Sequence, residues 1–519
     1  MRRPIGAWTG ALVGAGLALV AFAVFVLAAA VWGLSVAPYD IFEAITRVLP
    51  GGVVTAGIDA MIRAIGALGL GPTAAVAKLA EAALAAAMFV IGSGVLGAIV
   101  ARLRHRAFAA GAAGVLWLAA ATAADAALAR LTLAHLIWFA VVLLAWAEAL
   151  AAVLDVHEVA ARPPRLARRH FLAGFGATIA VGTAALFGAS ALVARFRRGR
   201  GPMRIDTSST SGPAASPPHD ALAARIAPAP GTRAELTPND RFYRVDINLE
   251  PPRVDPQAWR LVVDGLVARR LALALDDLRA MPSITQAVTL ECISNPVAGD
   301  LIGTSLWTGV RLRDVLDRAG VQRGARAVHV RAADGYYESV ALDDVDDDRT
   351  LLVYAMGGEP LADLHGFPLR IYIPNRHGMK QPKWITHLHV ADREGRGYWV
   401  DRGWSRSAIP HTTSVIDAIR RARDSAIVAI GGIAYAGARG IRKVELQIDR
   451  GPWLETRLVT PPLSPLCWVQ WRYDWPYAPG DHVFRVRATD GTGALQDVTR
   501  APRHPDGATG LHAIAKRLA

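Results

Sequence analysis

Long apolar segments separated by short basic loops fill the first two-fifths of the chain. Residues 8–34 contain no charged side chain and exceed the roughly 20 residues that a helix needs to cross a bilayer core. The same pattern predicts further membrane helices over residues 82–100, 108–128, 133–154 and 171–194. We therefore expect an α-helical membrane bundle of about five transmembrane helices over residues 1–196.

Residues 37–81 are less apolar than the segments around them. Asp59 and Arg63 interrupt the apolar stretch, and Lys78 and Glu81 follow it. This pattern predicts amphipathic helices that lie on the membrane surface or pack on the bundle.

The basic loops predict the orientation of the bundle. Arg2 and Arg3, residues 102–106 and residues 162–169 fall on one side, which the positive-inside rule makes cytoplasmic, so the C-terminal part is expected outside the cytoplasm. The basic residues 195–200 lie on the outer side and depart from this rule. Residues 168–172 (RRHFL) resemble a twin-arginine export signal, although an ordinary basic helix flank is the alternative.

The pattern changes twice after the last apolar segment. Residues 197–239 are rich in Ser, Thr, Gly and Pro, which predicts a flexible linker. Residues 240–414 mix short strands with helices such as 312–319, which indicates an α+β domain. In residues 415–519 apolar and polar positions alternate, as at 444–449, so we expect an all-β antiparallel sandwich.

Charge and cysteine content narrow the functional classes. The formal net charge is +13, but Lys and Arg cluster at the ends of the apolar segments, so we expect no nucleic-acid binding. The two cysteines leave no disulfide framework. Cys292 falls where a buried strand (VTLECISN, residues 288–295) opens into a polar loop, and is a metal ligand, a nucleophile or a packed core residue. Cys467 is expected on a strand of the sandwich, half-buried.

Four sequence blocks follow Cys292 in a fixed order. They are residues 303–316 (GTSLWTGVRLRDVL), 351–361 (LLVYAMGGEPL), 365–370 (HGFPLR) and 378–384 (GMKQPKW). With the cysteine they resemble the sulfite oxidase family of molybdopterin enzymes from about residue 239 onwards. The resemblance implies a sulfite-oxidase-like α+β domain that binds Mo-molybdopterin, an immunoglobulin-like dimerisation domain, and a homodimer.

The resemblance also implies a set of site residues. Cys292 is expected to ligate molybdenum. Further cofactor contacts are expected from residues in the matching blocks and in residues 241–246 (RFYRVD): Tyr243, Arg244, Asp246, His365, Arg370, Lys380, Gln381 and Lys383. Each basic residue could instead be a solvated surface charge. For Arg370 and Lys383 the position inside the matching blocks argues most strongly against this alternative.

Two departures from the family pattern concern the substrate. Pro296 and Val297 stand where sulfite oxidases carry a paired arginine, and Trp404 stands where they carry a tyrosine. Arg402 or Arg244 would have to replace the missing cation. We therefore predict a catalytic set of Cys292, Trp404 and Arg402, with poor sulfite oxidation and better turnover of a neutral sulfoxide or N-oxide.

The sequence of the membrane part gives little indication of a redox centre. His135 is the only histidine within a predicted span, which does not suffice for a bis-histidine haem, so an external partner is expected: cytochrome c or a membrane redox subunit. Asp125 and Glu148 are candidate functional residues or residues near a helix end. The sequence thus predicts a molybdopterin oxidoreductase that acts on a small molecule. Its N-terminal helices are expected in the lipid bilayer and its catalytic domain outside the cytoplasm. A cofactor-free binding or assembly module and a transporter with an accessory domain are the alternatives.

Overall fold

The fold is that of a computed structural model, which describes residues 6–128, 130–160, 225–423 and 425–518, with 179–180, 183–184 and 187–188. Its contacts divide the chain into two compact units. The first comprises residues 1–50 and 76–201, and the second comprises residues 51–75 and 202–519. Residues 51–75 therefore belong to the same unit as the C-terminal part.

Six helices precede the first strand in the described part of the chain: α1 (Ala7–Trp32), α2 (Ala37–Val48), α3 (Gly51–Leu68), α4 (Thr73–Arg102), α5 (Arg106–Ala127) and α6 (Leu133–Ala160). Among the described residues, α1, α3, α4, α5 and residues Leu133–Val156 of α6 are long and apolar enough to cross a membrane. Helices α1, α4, α5 and α6 coincide with predicted spans. The predicted span at 171–194 and the arginine pair at 168–169 fall almost entirely or entirely outside the described residues.

Small residues let α1 and α4 approach closely within the first unit. A Cβ added to Gly10 would lie 2.2 Å from the carbonyl oxygen of Gly97, and one added to Gly97 would lie 2.2 Å from the carbonyl oxygen of Gly10. Such small-residue contacts are the usual basis of helix association in lipid. At the end of the same unit Asp125 is fully buried, and its Oδ2 lies 2.9 Å from Nδ1 of His135. Asp125 therefore has a partner near the α5–α6 turn.

The α+β domain of the second unit contains three helices, α7 (Leu275–Arg279), α8 (Leu312–Ala319) and α9 (Leu342–Val345). Its strands are β1 (Leu261–Gly265), β2 (Leu271–Leu273), β3 (Ile284–Glu291), β4 (Ile302–Arg311), β5 (Ala327–Ala332), β6 (Tyr337–Ala341), β7 (Leu351–Met356), β8 (Glu359–Pro360), β9 (Arg370–Tyr372) and β10 (Ile385–Ala391). In the described range they form one sheet in the order β2-β1-β10-β5-β6 and another in the order β3-β4-β7-β8, with β9 also paired to β7.

Helix α8 illustrates how local pattern sets these elements. Leu312, Val315, Leu316 and Ala319 are buried at helical spacing, and the helix ends at Gly320, whose φ of +72° a side chain would strain. The predicted helix at 312–319 is therefore confirmed. The α+β character of residues 240–414 is confirmed with it.

The C-terminal part is a β-sandwich, as predicted. Its strands are β11 (Thr413–Arg421), β12 (Ile427–Tyr435), β13 (Ile441–Ile448), β14 (Trp453–Glu455), β15 (Arg457–Leu458), β16 (Val469–Pro476), β17 (Gly480–Asp490) and β18 (His512–Leu518). They form antiparallel sheets in the orders β11-β12-β16-β15 and β14-β13-β17-β18, which enclose a core containing Ile430, Leu446, Trp471 and Phe484. Cys467 corrects one prediction: it is fully buried in the turn before β16 rather than half-buried on a strand, and its Sγ lies 3.5 Å from Oγ of Ser464.

The end of the predicted linker packs on the second unit. Within residues 225–239, Arg225 forms an ion pair with Glu235 at 2.6 Å, and Arg233 forms one with Asp417 of β11 at 2.7 Å. The described part of the predicted tether is thus held by charged contacts. Residues 197–224 lie outside the described residues.

Helix α3 bears on part of the prediction for residues 37–81. Residues 51–75, which include α3, belong to the second unit, and α3 makes contacts within that unit. A Cβ added to Gly51 would lie 2.7 Å from Cα of Arg402, and Asp59 forms an ion pair with Arg503 at 2.6 Å. Helix α3 therefore makes contacts with both the α+β domain and the sandwich of the second unit.

Candidate active site

Cys292 follows the last residue of β3, at the point where the strand turns. Its backbone N–H donates to the carbonyl of Leu301 at 2.9 Å, and the N–H of Asn295 donates to the carbonyl of Cys292 at 2.9 Å. The side chain of Asn295 fixes this loop, since it donates to Glu291 and accepts from the N–H of Leu301, both at 3.0 Å. The loop therefore holds the thiol in a defined place.

The surroundings of Cys292 suit a metal-bound thiolate better than a free nucleophile. The residue is buried, and burial raises the pKa of its thiol, against a hydrogen bond with Ser294 whose Oγ lies 3.1 Å from Sγ. A neutral thiol is a weak nucleophile, whereas a bound metal ion deprotonates a thiol outright. Burial thus favours the neutral thiol at this position unless a metal ion is bound.

Cys292 lines a cleft of the second unit. Polar and charged residues share its lining with a larger apolar set. The polar side chains of interest are Tyr243, Asp246, His365, Arg370 and Lys383. The apolar ones include Ile58, Ile293, Met379, Trp384, Trp399 and Trp404. The cleft thus combines a thiol, two strong cations and an aromatic wall.

Arg370 is a buried cation that lacks a full set of partners. It is 5% exposed, donates from Nη1 to the carbonyl of His365 at 3.1 Å and lies 4.6 Å above the ring of Trp307. Its Nε has no hydrogen-bond partner among the described residues. Burial lowers the pKa of Arg370 to about 10, so the group stays charged at neutral pH. An anion in the cleft would satisfy it.

Lys383 is the second buried cation of the cleft. Burial lowers its pKa to about 8, although the ion pair with Asp246 acts in the opposite direction. Its ammonium lies 4.5 Å from the ring centroid of Trp384 and 3.3 Å from the carbonyl of Leu364. Lys383 and Arg370 together therefore offer positive charge to one end of the cleft.

Two uncharged groups complete this end of the cleft. His365 donates from Nε2 to the carbonyl of Asn239 at 2.9 Å, and burial lowers its pKa to about 4, so it is neutral at pH 7. The Tyr243 hydroxyl is buried without a partner in the described structure, and burial raises its pKa well above the usual value. Gly378 makes room for it, since a Cβ there would lie 2.9 Å from the hydroxyl. Tyr243 is thus a free hydrogen-bond donor.

Four predicted site residues lie outside the cleft lining. Lys380 forms a buried ion pair with Glu338 at 2.8 Å, and the Gln381 amide braces its own loop by donating to the carbonyls of Ile373 and Arg376. Arg244 pairs with Asp246. The fourth, Arg402, lies 3.5 Å from the ring centroid of Tyr398 and donates to the carbonyl of that residue at 3.0 Å. Arg244 and Arg402 are thus not among the residues that line the cleft.

Trp404 lines the cleft, as its predicted role requires. It is 5% exposed, and its Nε1 has no hydrogen-bond partner within the described ranges. Its ring contacts those of Trp399 and His504 edge to face, at centroid distances of 6.3 and 5.1 Å. These contacts fix the indole plane beside the cleft.

Sequence reasoning missed several residues of this region. Ile58 of α3 lines the cleft, and Arg503 from the sandwich places a positive charge whose field acts to lower the pKa of the Cys292 thiol. Both come from distant parts of the chain, and no local pattern identifies them. Trp384 could have been found, because it lies inside the quoted block 378–384.

The comparisons with known proteins agree with this geometry. The family model described as the oxidoreductase molybdopterin binding domain matches residues 248–399. The sulfite oxidase of Gallus gallus is 30% identical over 341 residues, covering 56% of this chain and 72% of that protein. The uncharacterized oxidoreductase YuiH of Bacillus subtilis is 32% identical over 156 residues, covering 30% and 77%. The chain therefore contains an oxidoreductase molybdopterin binding domain, whose cofactor is Mo-molybdopterin.

Within that class, the chain belongs to the sulfite oxidase family. Its alignment with the mitochondrial sulfite oxidase of Homo sapiens, at 30% identity, covers 52% of this chain and 59% of that enzyme. The chain thus spans about 50–59% of the length of the mammalian relatives that it matches. Among solved structures, the sulfane dehydrogenase SoxCD from Paracoccus pantotrophus matches with a TM-score of 0.49 and 20% identity, over 62% of this chain and 89% of that one.

The cleft fits the cofactor that the family implies. A molybdopterin carries an anionic phosphate and needs cations and hydrogen-bond donors, and the cleft presents Arg370 with an orphaned Nε and Tyr243 with an orphaned hydroxyl. Cys292 offers the soft ligand that molybdenum takes. These matches favour the enzyme over the cofactor-free binding module considered from the sequence.

Proposed function

We propose that this chain is a membrane-anchored molybdopterin oxidoreductase that transfers an oxygen atom at a Cys292-ligated molybdenum centre on the extracytoplasmic side. The observation that carries the proposal is the convergence of Cys292, Arg370, Lys383 and Tyr243 on one cleft, with buried polar atoms of two of them left without partners. When bound, the cofactor supplies a metal that exchanges an oxygen atom and two electrons with the substrate.

The residues of the chain divide the remaining work. Arg370 and Lys383 hold the phosphate end of the cofactor by charge, and Tyr243 donates a hydrogen bond from its un-ionised phenol. Neutral His365 keeps its Nδ1 as an acceptor, because its Nε2 proton is used on Asn239. The apolar wall excludes water from the reacting centre.

The substrate we propose is a small neutral sulfoxide or N-oxide. The basic side chains in the cleft lining are Arg370, Lys383 and neutral His365, and the first two are assigned to the cofactor. Around Cys292 the lining is apolar instead, with Ile293, Met379 and Trp404. Arg503 acts on Cys292 from outside the cleft lining but is paired with Asp59, so a dianion such as sulfite would find no cation in the lining that is not assigned to the cofactor, at a cost of about 1.5–3 kcal/mol for each missing charge-assisted contact.

Trp404 offers the substrate an uncharged contact. Its indole N–H is a donor only, and it is buried without a partner in the part of the chain that the structure describes. An N–H of this kind can hold a neutral oxide oxygen without favouring an anion. Reduction of a sulfoxide then consumes two electrons and two protons and releases the sulfide and water, with the electrons delivered by an external one-electron redox protein.

The membrane setting forms part of the same proposal. Helices α1, α4, α5 and α6 would anchor the chain, and the twin-arginine pair Arg168–Arg169 would export a domain that already holds its cofactor. We propose that the sandwich is an immunoglobulin-like domain and that it forms the dimer interface, as the family resemblance implies. Cytochrome c or a membrane redox subunit would exchange the electrons.

Steady-state assays of the purified molybdenum-loaded full chain test the substrate. We expect reduction of dimethyl sulfoxide or trimethylamine N-oxide with a reduced viologen as donor, and sulfite oxidation that is at least about tenfold less efficient, since one charge-assisted contact is missing. Efficient sulfite oxidation without any reductive activity would show the substrate proposal to be wrong. Trp404→Phe keeps the aromatic wall but removes the N–H, and should raise KM for the oxide.

A further inference from the structure

A second group of metal-binding side chains lies on the sheet β2-β1-β10-β5-β6, away from the cleft. On β10 the buried Leu388 and Val390 alternate with His387 and His389. Because successive side chains of a strand point to opposite faces, both imidazoles leave the sheet on the face away from the core. Asp264 of β1 is the register partner of His389 on the neighbouring parallel strand and joins them.

The three side chains converge on one point. Oδ1 of Asp264 lies 2.9 Å from Nε2 of His387 and 2.7 Å from Nδ1 of His389. One ligand atom from each residue lies within 4.8 Å of the others. The cluster therefore offers two imidazole nitrogens and a carboxylate oxygen to a single centre.

Hydrogen bonding accounts for only half of this arrangement. The contact between Asp264 and His389 has hydrogen-bond geometry. Nε2 of His387 is buried and lies near the same oxygen, but it is not aligned for a hydrogen bond with any described group. Two imidazoles lie against one carboxylate oxygen, and one of them is poorly aligned. A surface ion pair contributes little to stability, so ion pairing alone does not explain this arrangement.

A metal ion would resolve the crowding. Bonds of about 2.0–2.1 Å in tetrahedral geometry separate ligand atoms by about 3.3 Å, so the observed contacts need to open by less than about 1 Å. The residues are partly exposed, which leaves coordination positions for water. Imidazole with carboxylate favours zinc and neighbouring first-row ions over calcium or magnesium.

The surrounding groups limit the site without closing it. His329 of β5 lies opposite His389, with ring centroids 6.2 Å apart, but its Nε2 is 3.1 Å from the carbonyl of Arg393. Arg331, the register partner of His387, is exposed and free to extend into water. We therefore assign three protein ligands and leave His329 out of the set.

We propose that Asp264, His387 and His389 form a surface site for one divalent zinc-class ion, separate from the molybdenum cleft. None of the three residues lines that cleft. The ion would join β1 to β10, strands more than a hundred residues apart in sequence, and so close a long loop of the α+β domain. Binding to the folded state alone would raise the thermal midpoint of the domain.

Equilibrium dialysis of the tag-free full chain in detergent tests the site. After a chelator wash, the protein is dialysed against Zn²⁺, and zinc and molybdenum are both measured by elemental analysis. We expect about one zinc per chain in the wild type, and in the His387→Ala/His389→Ala variant an affinity lower by about a hundredfold or more, because two of three ligands are lost. Molybdenum content should be the same in both proteins, which reports that the domain has folded.

The chain offers a matched control. His482, which is half-buried, and the exposed Asp449 form another histidine–aspartate pair, at 3.0 Å, but with a single imidazole. His482→Gln should bind zinc as the wild type does, and Asp264→Asn, which keeps the shape of the side chain, should weaken binding by about tenfold or more. The proposal is overturned if the chelator-washed wild type takes up no zinc, or if the double variant and Asp264→Asn both bind it as tightly as the wild type.

Discussion

The buried guanidinium of Arg370 should affect the cofactor-free and the cofactor-loaded protein in opposite directions. In the cofactor-free cleft the charge is 5% exposed, has one hydrogen bond to a carbonyl and leaves Nε without a partner among the described residues. Burial lowers the pKa of Arg370 from 12.5 to about 10, which corresponds to a cost of up to about 3 kcal/mol for the charged form. Removing the charge should therefore stabilise the empty domain.

Arg370→Gln makes this change with a polar side chain of shorter reach. The lost cation–π contact with Trp307 costs about 1–2 kcal/mol and the lost hydrogen bond to the carbonyl of His365 about 1 kcal/mol, so we expect the cofactor-free variant to gain at most about 1 kcal/mol net. The loaded protein loses a charge-assisted contact worth about 1.5–3 kcal/mol, which weakens the hold on the cofactor about 10- to 150-fold.

The assay compares two quantities in the same variant. Thermal midpoints are measured on protein from a host that makes no molybdopterin, and molybdenum retention is measured on loaded protein after prolonged dialysis. Arg349→Gln is the control, because Arg349 is an exposed partner of Asp347 in the same domain. If Arg370→Gln retained molybdenum as well as the control, or if it lowered the cofactor-free midpoint by several degrees, the reasoning about a cofactor-holding cation would be refuted.

Two further predictions concern pH and export. Burial lowers the pKa of Lys383 to about 8, so the unfolded chain binds more protons than the folded one between about pH 8 and 10; the thermal midpoint of the cofactor-free protein should rise over that range by more than that of Lys383→Met. Equal slopes in both proteins would contradict this. Replacing Arg168 and Arg169 by lysines keeps the charge but not the export signal, so the C-terminal domain should resist protease added outside the cell. Its digestion in the double variant would show the export argument to be wrong.

Local pattern predicted those parts of the fold that depend on neighbours in sequence. The spacing of Leu312, Val315 and Leu316 is enough to define α8, and the alternation at 444–448 is enough to define β13. Cys467 shows the limit of the same reasoning. Cys467 is two residues before Val469 and four before Trp471, so the alternation of side chains would place all three on one face of a strand. The strand begins only at Val469, and alternation does not tell where a strand begins.

The sequence blocks contain those candidate site residues that lie at one end of the cleft. Cys292, Arg370 and Lys383 lie together because the end of β3, the start of β9 and the segment before β10 meet at the cleft. Lys380 belongs to the same block as Lys383 but reaches Glu338, since spacing in a block does not determine which way a side chain points. Ile58 and Arg503 depend on contacts between distant segments, which no periodicity encodes.

The claim that Cys292 is a molybdenum ligand is tested most directly by X-ray absorption at the molybdenum K-edge. The full chain and the variants Cys292→Ser and Cys467→Ser are compared at equal molybdenum content. We expect the Mo–S coordination number of Cys292→Ser to fall by one while that of Cys467→Ser, changed in a buried turn of the sandwich, stays at the wild-type value. An unchanged sulfur coordination in Cys292→Ser would contradict the account.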